Sequence, residues 1–263
     1  MMQQAIDMQA EAADLDRLLS TLTPEQWNAT TKFKQWTVWD IVAHLHFFDL
    51  QAVYSATNLA KFGFEALKMT PILMGKGNFR DYTRKKLAHL DGAKLHAAWK
   101  ETCNEMCEKI GELDPVKPLK WYGPPMKAGT FINARQMEAW AHSQAIYDLI
   151  GVQRDQFEII KNIVEMGIRT YKWTFVNRKQ EIPGDAPKVT LSAPSGAIWE
   201  YKPDSTNGHI QGSAFEFCQV VTQTRHIADT NLVVQGDAAT QWMELAQCFA
   251  GAPNDPPAPG SRG

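Results

Sequence analysis

Met137-Glu138-Ala139-Trp140-Ala141-His142, taken together with Trp39-Asp40-Ile41-Val42-Ala43-His44-Leu45 far upstream, is the stretch from which the architecture follows. A helix over residues 131–149 turns successive side chains by about 100°, which sets Phe131, Ala134, Glu138, His142, Ala145 and Leu149 on one stripe. That stripe is expected to be buried, and it carries a carboxylate and an imidazole one turn apart. Burial of a charge is costly unless something neutralises it, and a cation held between Glu138 and His142 does so.

The upstream stretch supplies the second half of the site. Thr37-Val38-Trp39-Asp40 has the form of a capping box, a threonine at the N-cap and an acid three residues later, so a helix starts there. Along it Ile41, His44, Leu45, Phe48 and Ala52 fall on one face, which turns His44 inward and His46 well away. Alone, a histidine on an apolar face is more often a core residue bonded to a carbonyl. The Glu138/His142 pair changes that reading. Two neutral imidazoles and one carboxylate form a zinc set that leaves a position open for water or substrate, and they also suit nickel or ferrous iron.

The rest of the first half frames these two helices. Apolar residues at Ile6, Ala10, Ala13, Leu15, Leu18 and Leu19 predict an amphipathic helix over 5–20, and Thr23-Pro24-Glu25-Gln26-Trp27 begins a short helical turn. Residues 59–74 are an apolar and basic mixture, and Gly75-Lys76-Gly77-Asn78 reads as a loop. Asp91 caps a helix over 91–112 with Leu95, Ala98, Trp99, Thr102, Met106 and Ile110 at helical spacing. Pro115, Pro118 and Gly123-Pro124-Pro125 keep the chain irregular until Thr130. Four principal helices with long crossovers predict a bundle whose interior holds the metal. Arg80 and Arg84, ahead of the third of them, are candidates to reach the mouth of the bundle and bind substrate, against the ordinary fate of arginine as surface charge.

Beyond Gly151, helical spacing of Phe157, Ile160, Val164 and Ile168 predicts a bridging helix to about Asn177, ended by Ile182-Pro183-Gly184-Asp185-Ala186-Pro187. Residues 188–192 and 197–201 flank a Pro-Ser-Gly turn and predict a β-hairpin, 208–212 another strand, and Ser213 a cap for a helix ending near Thr224-Arg225-His226. A last strand over 232–237 and a last helix over 238–249 complete an α+β domain. The predicted organisation is a helical metal-binding bundle over 1–152, an α+β domain with its bridging helix over 153–251, and a mobile Pro-rich tail over 252–263.

The totals limit the partners. The chain of 263 residues is 44% apolar and 10% aromatic, ample for a core, with a formal charge of −2. Basic residues form no run longer than Arg84-Lys85-Lys86, which argues against nucleic acid or an anionic membrane and for a small molecule or a second copy of the chain, as in a homodimer. No apolar stretch approaches membrane-spanning length, and the start lacks the order of a signal peptide, so the expected compartment is the cytoplasm. Cys103 and Cys107 lie one turn apart and Cys218 and Cys248 are isolated, a pattern of packed thiols rather than a disulfide framework.

These residues carry a resemblance. Trp36-Thr37-Val38-Trp39-Asp40-Ile41-Val42-Ala43-His44-Leu45 and Glu138-x-x-x-His142 resemble the two ligand segments of DinB-like metalloproteins, in particular the branch of mycothiol-dependent maleylpyruvate isomerases. Segments such as 167–175, 193–199 and 246–251 resemble a related metal-binding group with a wyosine-base-formation-like C-terminal region. The resemblance implies a DinB-like four-helix bundle followed by a smaller mixed α+β domain similar to sterol carrier protein. It implies His44, Glu138 and His142 as ligands of a divalent metal, zinc above all, and a low-molecular-weight thiol as a second cofactor. It also implies Arg225 as a catalytic arginine, with His226 beside it as a substrate contact. An Arg-His pair closing a helix also suits the negative end of the helix dipole without any site role.

The leading functional expectation is a metal-dependent enzyme acting on a small carboxylated substrate, an isomerase or thiol transferase using a metal-bound thiolate or water. A hydrolase, or a non-catalytic metal and hydrophobic-ligand binder, is the alternative. A structural zinc would normally want a fourth protein ligand, and His46 and Asp49 are the nearby candidates.

Overall fold

A computed structural model describes residues 1–262, which divide into two compact units, 1–149 and residue 150 onward. Gly263, the last residue of the predicted tail, lies outside the described residues.

The first unit is helical. α1 (Gln3–Ser20) and the short α2 (Pro24–Asn28) lead to α3 (Val38–Thr57), then α4 (Leu59–Leu73), α5 (Phe79–Lys86) and α6 (Gly92–Gly111). A two-residue ribbon of β1 (Pro118–Leu119) and β2 (Met126–Lys127) interrupts the segment expected to be irregular, and α7 (Ala128–Ile150) follows it directly. The four predicted helices are α1, α3, α6 and α7. The capping box forms as read: Asp40 N–H donates to Thr37 Oγ1 at 3.2 Å, and Thr37 N–H donates to Asp40 Oδ2 at 2.9 Å.

α3 packs on α6, and α6 on α1. α7 joins them through polar as well as apolar contacts. Arg135 donates from Nε to Asp49 Oδ1 of α3 at 2.9 Å, and the Tyr147 hydroxyl donates to Asp14 Oδ2 of α1 at 2.7 Å. The core holds Trp99, Trp140, Phe47, Phe131, Met8, Leu15, Leu19 and Ile41, each at most 2% exposed.

Residues 59–86 depart from the expectation of a mixed segment and a loop. Asn58 accepts the amide proton of Lys61 and starts α4, Asn78 accepts that of Asp81 and starts α5, and both helices rest on α3. Only Phe62, Glu65 and Met69 of α4 are buried, too short a stripe among exposed apolar neighbours to stand out as a period in the sequence.

The second unit has the predicted α+β character. The bridging helix is not continuous: a 3₁₀ turn at Glu158–Ile160 leads into α8 (Lys161–Arg169), and α9 (Tyr171–Asn177) begins after Thr170. The Thr170 hydroxyl donates to the carbonyls of Met166 and Gly167, taking acceptors that close the end of α8. β3 (Lys188–Ser192) pairs antiparallel with β4 (Ile198–Tyr201), forming the predicted hairpin, and parallel with β5 (His209–Ser213). α10 (Ala214–Val221), β6 (Val233–Gln235) and α11 (Asp237–Leu245) follow, and the sheet order is β4-β3-β5-β6.

The Pro-rich ending, expected to be mobile, is tied down. Asn254 donates from Nδ2 to Gln223 Oε1 at 2.6 Å and from its amide to Gln247 Oε1 at 2.9 Å, where both glutamines are buried. Arg178 pairs with Asp255 at 2.8 Å, and Arg262 donates to the Gln223 carbonyl at 3.0 Å. The tail buries little apolar surface, as its composition says, but its polar side chains satisfy buried partners instead. All four cysteines are buried, with no disulfide among the described residues. No described helix is long and apolar enough to cross a membrane.

Candidate metal centre

Two helices place the three predicted ligands. The capped start of α3 fixes the phase of its first turns, which brings His44 to the side facing α7. One turn of α7 then sets Glu138 and His142 side by side. Nε2 of His44 lies 3.1 Å from Glu138 Oε2, and Nε2 of His142 lies 3.2 Å from the same oxygen. The two imidazole centroids are 4.4 Å apart. Among the described residues, these three form the group whose ligand atoms, within 4.8 Å of one another, suit a metal ion.

The spacing fits an ion. Zinc bonds of about 2.0–2.2 Å at tetrahedral angles hold neighbouring ligand atoms roughly 3.3–3.6 Å apart. The observed 3.1 and 3.2 Å fall just below that range, so a movement of a few tenths of an ångström separates this arrangement from a coordinating one. The donor set is one carboxylate and two imidazoles, matched to zinc, nickel or ferrous iron. Burial, and then the neighbouring His142, push the His44 pKa down to about 4, so His44 is neutral at pH 7 and can offer a lone pair. Burial raises Glu138, but hydrogen bonds from His142 and His44 outweigh it and hold its carboxyl well below the usual 4.5.

The stripe expected to be buried is the more open one. The side chains of His44 and His142 are each 13% exposed and that of Glu138 is 26% exposed, whereas Phe131, on the same stripe two turns earlier, is buried, and Gln136, Ala139, Trp140, Ser143, Ile146 and Tyr147 cover most of the remaining circumference of α7 and are buried. α7 is thus enclosed nearly all round, and its ligand side is the one left accessible. His44 and Phe48 form the corresponding half-buried side of α3.

Aromatic rings wall the ligands. Trp36 stacks on His142 at 6.1 Å with an interplanar angle of 3°, and Phe33 meets the same ring edge-on at 4.9 Å. Phe48 and Phe79 meet His44 at 4.9 and 5.5 Å. The sequence pointed to Phe48, four residues beyond His44, and Trp36 stands in the quoted ligand segment. Nothing in the sequence marked Phe33 or Phe79, which arrive from a turn and from α5.

The two candidates for a fourth ligand are otherwise placed. Asp49 accepts from Arg135 Nε at 2.9 Å and from Trp99 Nε1 at 3.1 Å, all three side chains being buried. His46 does turn away from the centre, as read, but into the protein: it is 7% exposed, and burial pushes its pKa down to about 4.

Arg80 and Arg84 both converge on Asp40, one turn before His44. Arg84 makes a two-pronged contact, Nε to Oδ1 at 2.6 Å and Nη2 to Oδ2 at 2.8 Å, and Arg80 Nε reaches Oδ2 at 2.8 Å. Their nearest chemistry is therefore with the helix cap. Arg225 and His226 belong to the second unit, in the turn after α10. Arg225 donates to the Thr224 carbonyl at 2.9 Å, and His226 Nδ1 accepts the Ala228 amide proton at 3.0 Å as the cap of a 3₁₀ turn at Ile227–Asp229.

Comparison with known proteins follows this geometry. A family described as the mycothiol maleylpyruvate isomerase N-terminal domain matches residues 8–147, which include all three candidate ligands. Uncharacterized proteins from two strains of Mycobacterium tuberculosis are each 33% identical over 247 residues, covering 94% of this chain and 95% of theirs. Crystal structures of the mycothiol-dependent maleylpyruvate isomerase and of a histidine-to-alanine mutant of it superpose with a TM-score of 0.52 at 14% identity, over 83% of this chain and 87% of theirs. At that identity the likeness is one of fold.

Proposed function

The chain belongs to the mycothiol maleylpyruvate isomerase N-terminal domain family, and from that premise we propose that it is a metal-dependent enzyme of the isomerase or thiol-transferase type acting on a small carboxylated substrate. The observation that carries this reading is the meeting of His44, Glu138 and His142 on the accessible side of two otherwise enclosed helices, with Asp49 paired to Arg135 and His46 buried away from the three ligands. Three ligands with no fourth among the described residues fit a site that keeps a position for substrate.

A divalent ion bound there supplies Lewis acidity, enough to bring a thiol or a water toward ionisation near neutral pH. The residues around it do the rest. Neutral His44 and ionised Glu138 offer lone pairs without first losing protons to solvent. Phe33, Trp36, Phe48 and Phe79 exclude bulk water and give an unsaturated substrate an apolar wall. For the substrate carboxylate the sequence resemblance favours Arg225, with His226 beside it, where a guanidinium can bind bidentately. Zinc, an accompanying low-molecular-weight thiol such as mycothiol, and a cytoplasmic setting belong to the same proposal.

The test is elemental analysis of the purified protein, followed by a maleylpyruvate isomerisation assay with and without mycothiol. The reading requires near-stoichiometric divalent metal and thiol-dependent turnover that disappears in His44→Ala. A protein that takes up no metal at all overturns it.

A further inference from the structure

A second recess lies in the first unit, apart from the three ligands. It is a cleft of about 680 Å³ between α2, the start of α3, the end of α5 and the start of α6, with Trp27, Trp39, Leu22, Leu90, Arg84 and Asp91 on its walls. We infer that this cleft is a binding site for a flat, apolar monoanion, an aromatic carboxylate, whose acid group pairs with Arg84 and whose ring lies among Trp27, Trp39 and Leu90.

The walls are fixed. The Trp39 indole N–H donates to the Leu90 carbonyl at 2.9 Å, which holds that ring across the junction of α3 and α6. Trp27 is 6% exposed and lies so close to Gly92 that a Cβ there would sit 2.4 Å from the indole, so α6 can approach only because residue 92 has no side chain. Arg84 is held from behind. Its Nε and one Nη2 proton are spent on Asp40, leaving the outer edge of a guanidinium whose side chain is 47% exposed.

The charges select the ligand. Asp40 is shared by Arg80 and Arg84, two cations on one buried carboxylate, and Asp81, one turn before Arg84, is the second acid acting on it, so the guanidinium edge left to the cleft suits a single negative charge. Asp91 also lines the cleft, with its carboxylate engaged by the Lys94 amide at 2.9 Å and by Lys94 Nζ at 3.1 Å. An acid facing the same space repels a polyphosphate more than a single carboxylate. The volume falls within the roughly 300–1,000 Å³ usual for small-molecule sites.

Isothermal titration of the full chain with 2-naphthoate, and with the neutral 2-naphthamide, tests the assignment. The expected result is naphthoate binding with Kd under about 1 mM and amide binding at least tenfold weaker. Arg84→Gln should weaken naphthoate about tenfold. Because that change also disturbs Asp40, Ala88→Trp is the independent probe: Ala88 is an exposed cleft residue, and a large ring there should abolish binding without touching a charge. His44→Ala should bind naphthoate within twofold of the unmodified protein. The proposal is overturned if naphthoate does not bind, if the amide binds equally well, if Ala88→Trp leaves binding intact, or if His44→Ala removes it. Loss of metal from His44→Ala with retained naphthoate binding separates this cleft from the centre proposed above.

Discussion

His44 Nε2 lies 3.1 Å from Glu138 Oε2, although 94 residues of chain separate the two. The contact joins α3 to α7 on the one side where both are accessible, with His142 completing it from the next turn of α7. A single carboxylate oxygen of Glu138 faces both imidazoles, which sets three ligand atoms near coordination spacing.

Removing that oxygen tests the ligand assignment. Glu138→Ala is expected to retain under a tenth of the metal of the unmodified protein, by elemental analysis, while its far-UV circular dichroism stays unchanged. The fold should survive because the core of α7 lies on its other sides. Full metal occupancy in this variant would contradict the site.

Asp40 ties a helix cap to two arginines and should matter for stability. Burial raises its pKa, but the hydrogen bonds from Arg84 and Thr37 outweigh that and hold it below 3.8. A depressed carboxylate stabilises the fold above its unfolded pKa, and the contribution is lost as pH falls through the folded value. Asp40→Asn should therefore cost about 2 kcal/mol at pH 7, less than a fully buried pair because both arginines are partly exposed. Urea denaturation should show the deficit shrinking below pH 4.

His46 adds acid sensitivity of the same sign, from a ring buried neutral rather than a carboxylate held ionised. The unfolded chain takes a proton near 6.5, while the buried ring resists it until about 4, so stability falls as pH drops through that window. By pH 4.5 this residue accounts for a loss of about 2.5 kcal/mol. His46→Gln should lose less stability than the unmodified protein between pH 7 and 4.5 by about that amount, measured by urea midpoints. Equal losses would mean that the ring is not buried neutral.

Trp99 is 1% exposed and donates its indole proton to Asp49. Trp99→Phe keeps most of the volume but leaves a buried carboxylate oxygen short of a donor, at a cost of about 1–3 kcal/mol. Trp99→Ala adds a cavity and should cost about 3–5 kcal/mol. Metal content should be unchanged in the milder variant, since Asp49 is not a ligand in this arrangement.

A variant at Arg225 tests whether substrate binding can be separated from metal coordination. Arg225→Ala should keep its metal and lose turnover of a carboxylated substrate by at least tenfold, an effect of losing charge-assisted recognition. Steady-state kinetics beside elemental analysis would show the split. Unchanged turnover would contradict a substrate-binding role for Arg225.

Much of this was legible in the residues. Capping residues at Thr37 and Asp91 marked two helix starts, and the four-residue spacing of Glu138 and His142 put them on one side of a third helix. Such signals are local: a cap or a period depends on neighbours within a turn or two. Tertiary structure decided what those faces meet. α7 is covered on nearly every side, so the ligand stripe, expected inside, became the open one. Arg80 and Arg84 went to Asp40, α4 and α5 formed against α3, and the tail found Gln223 and Gln247. Each of these outcomes depends on which distant surface or polar partner packing brings into reach, and no period within a single helix encodes that.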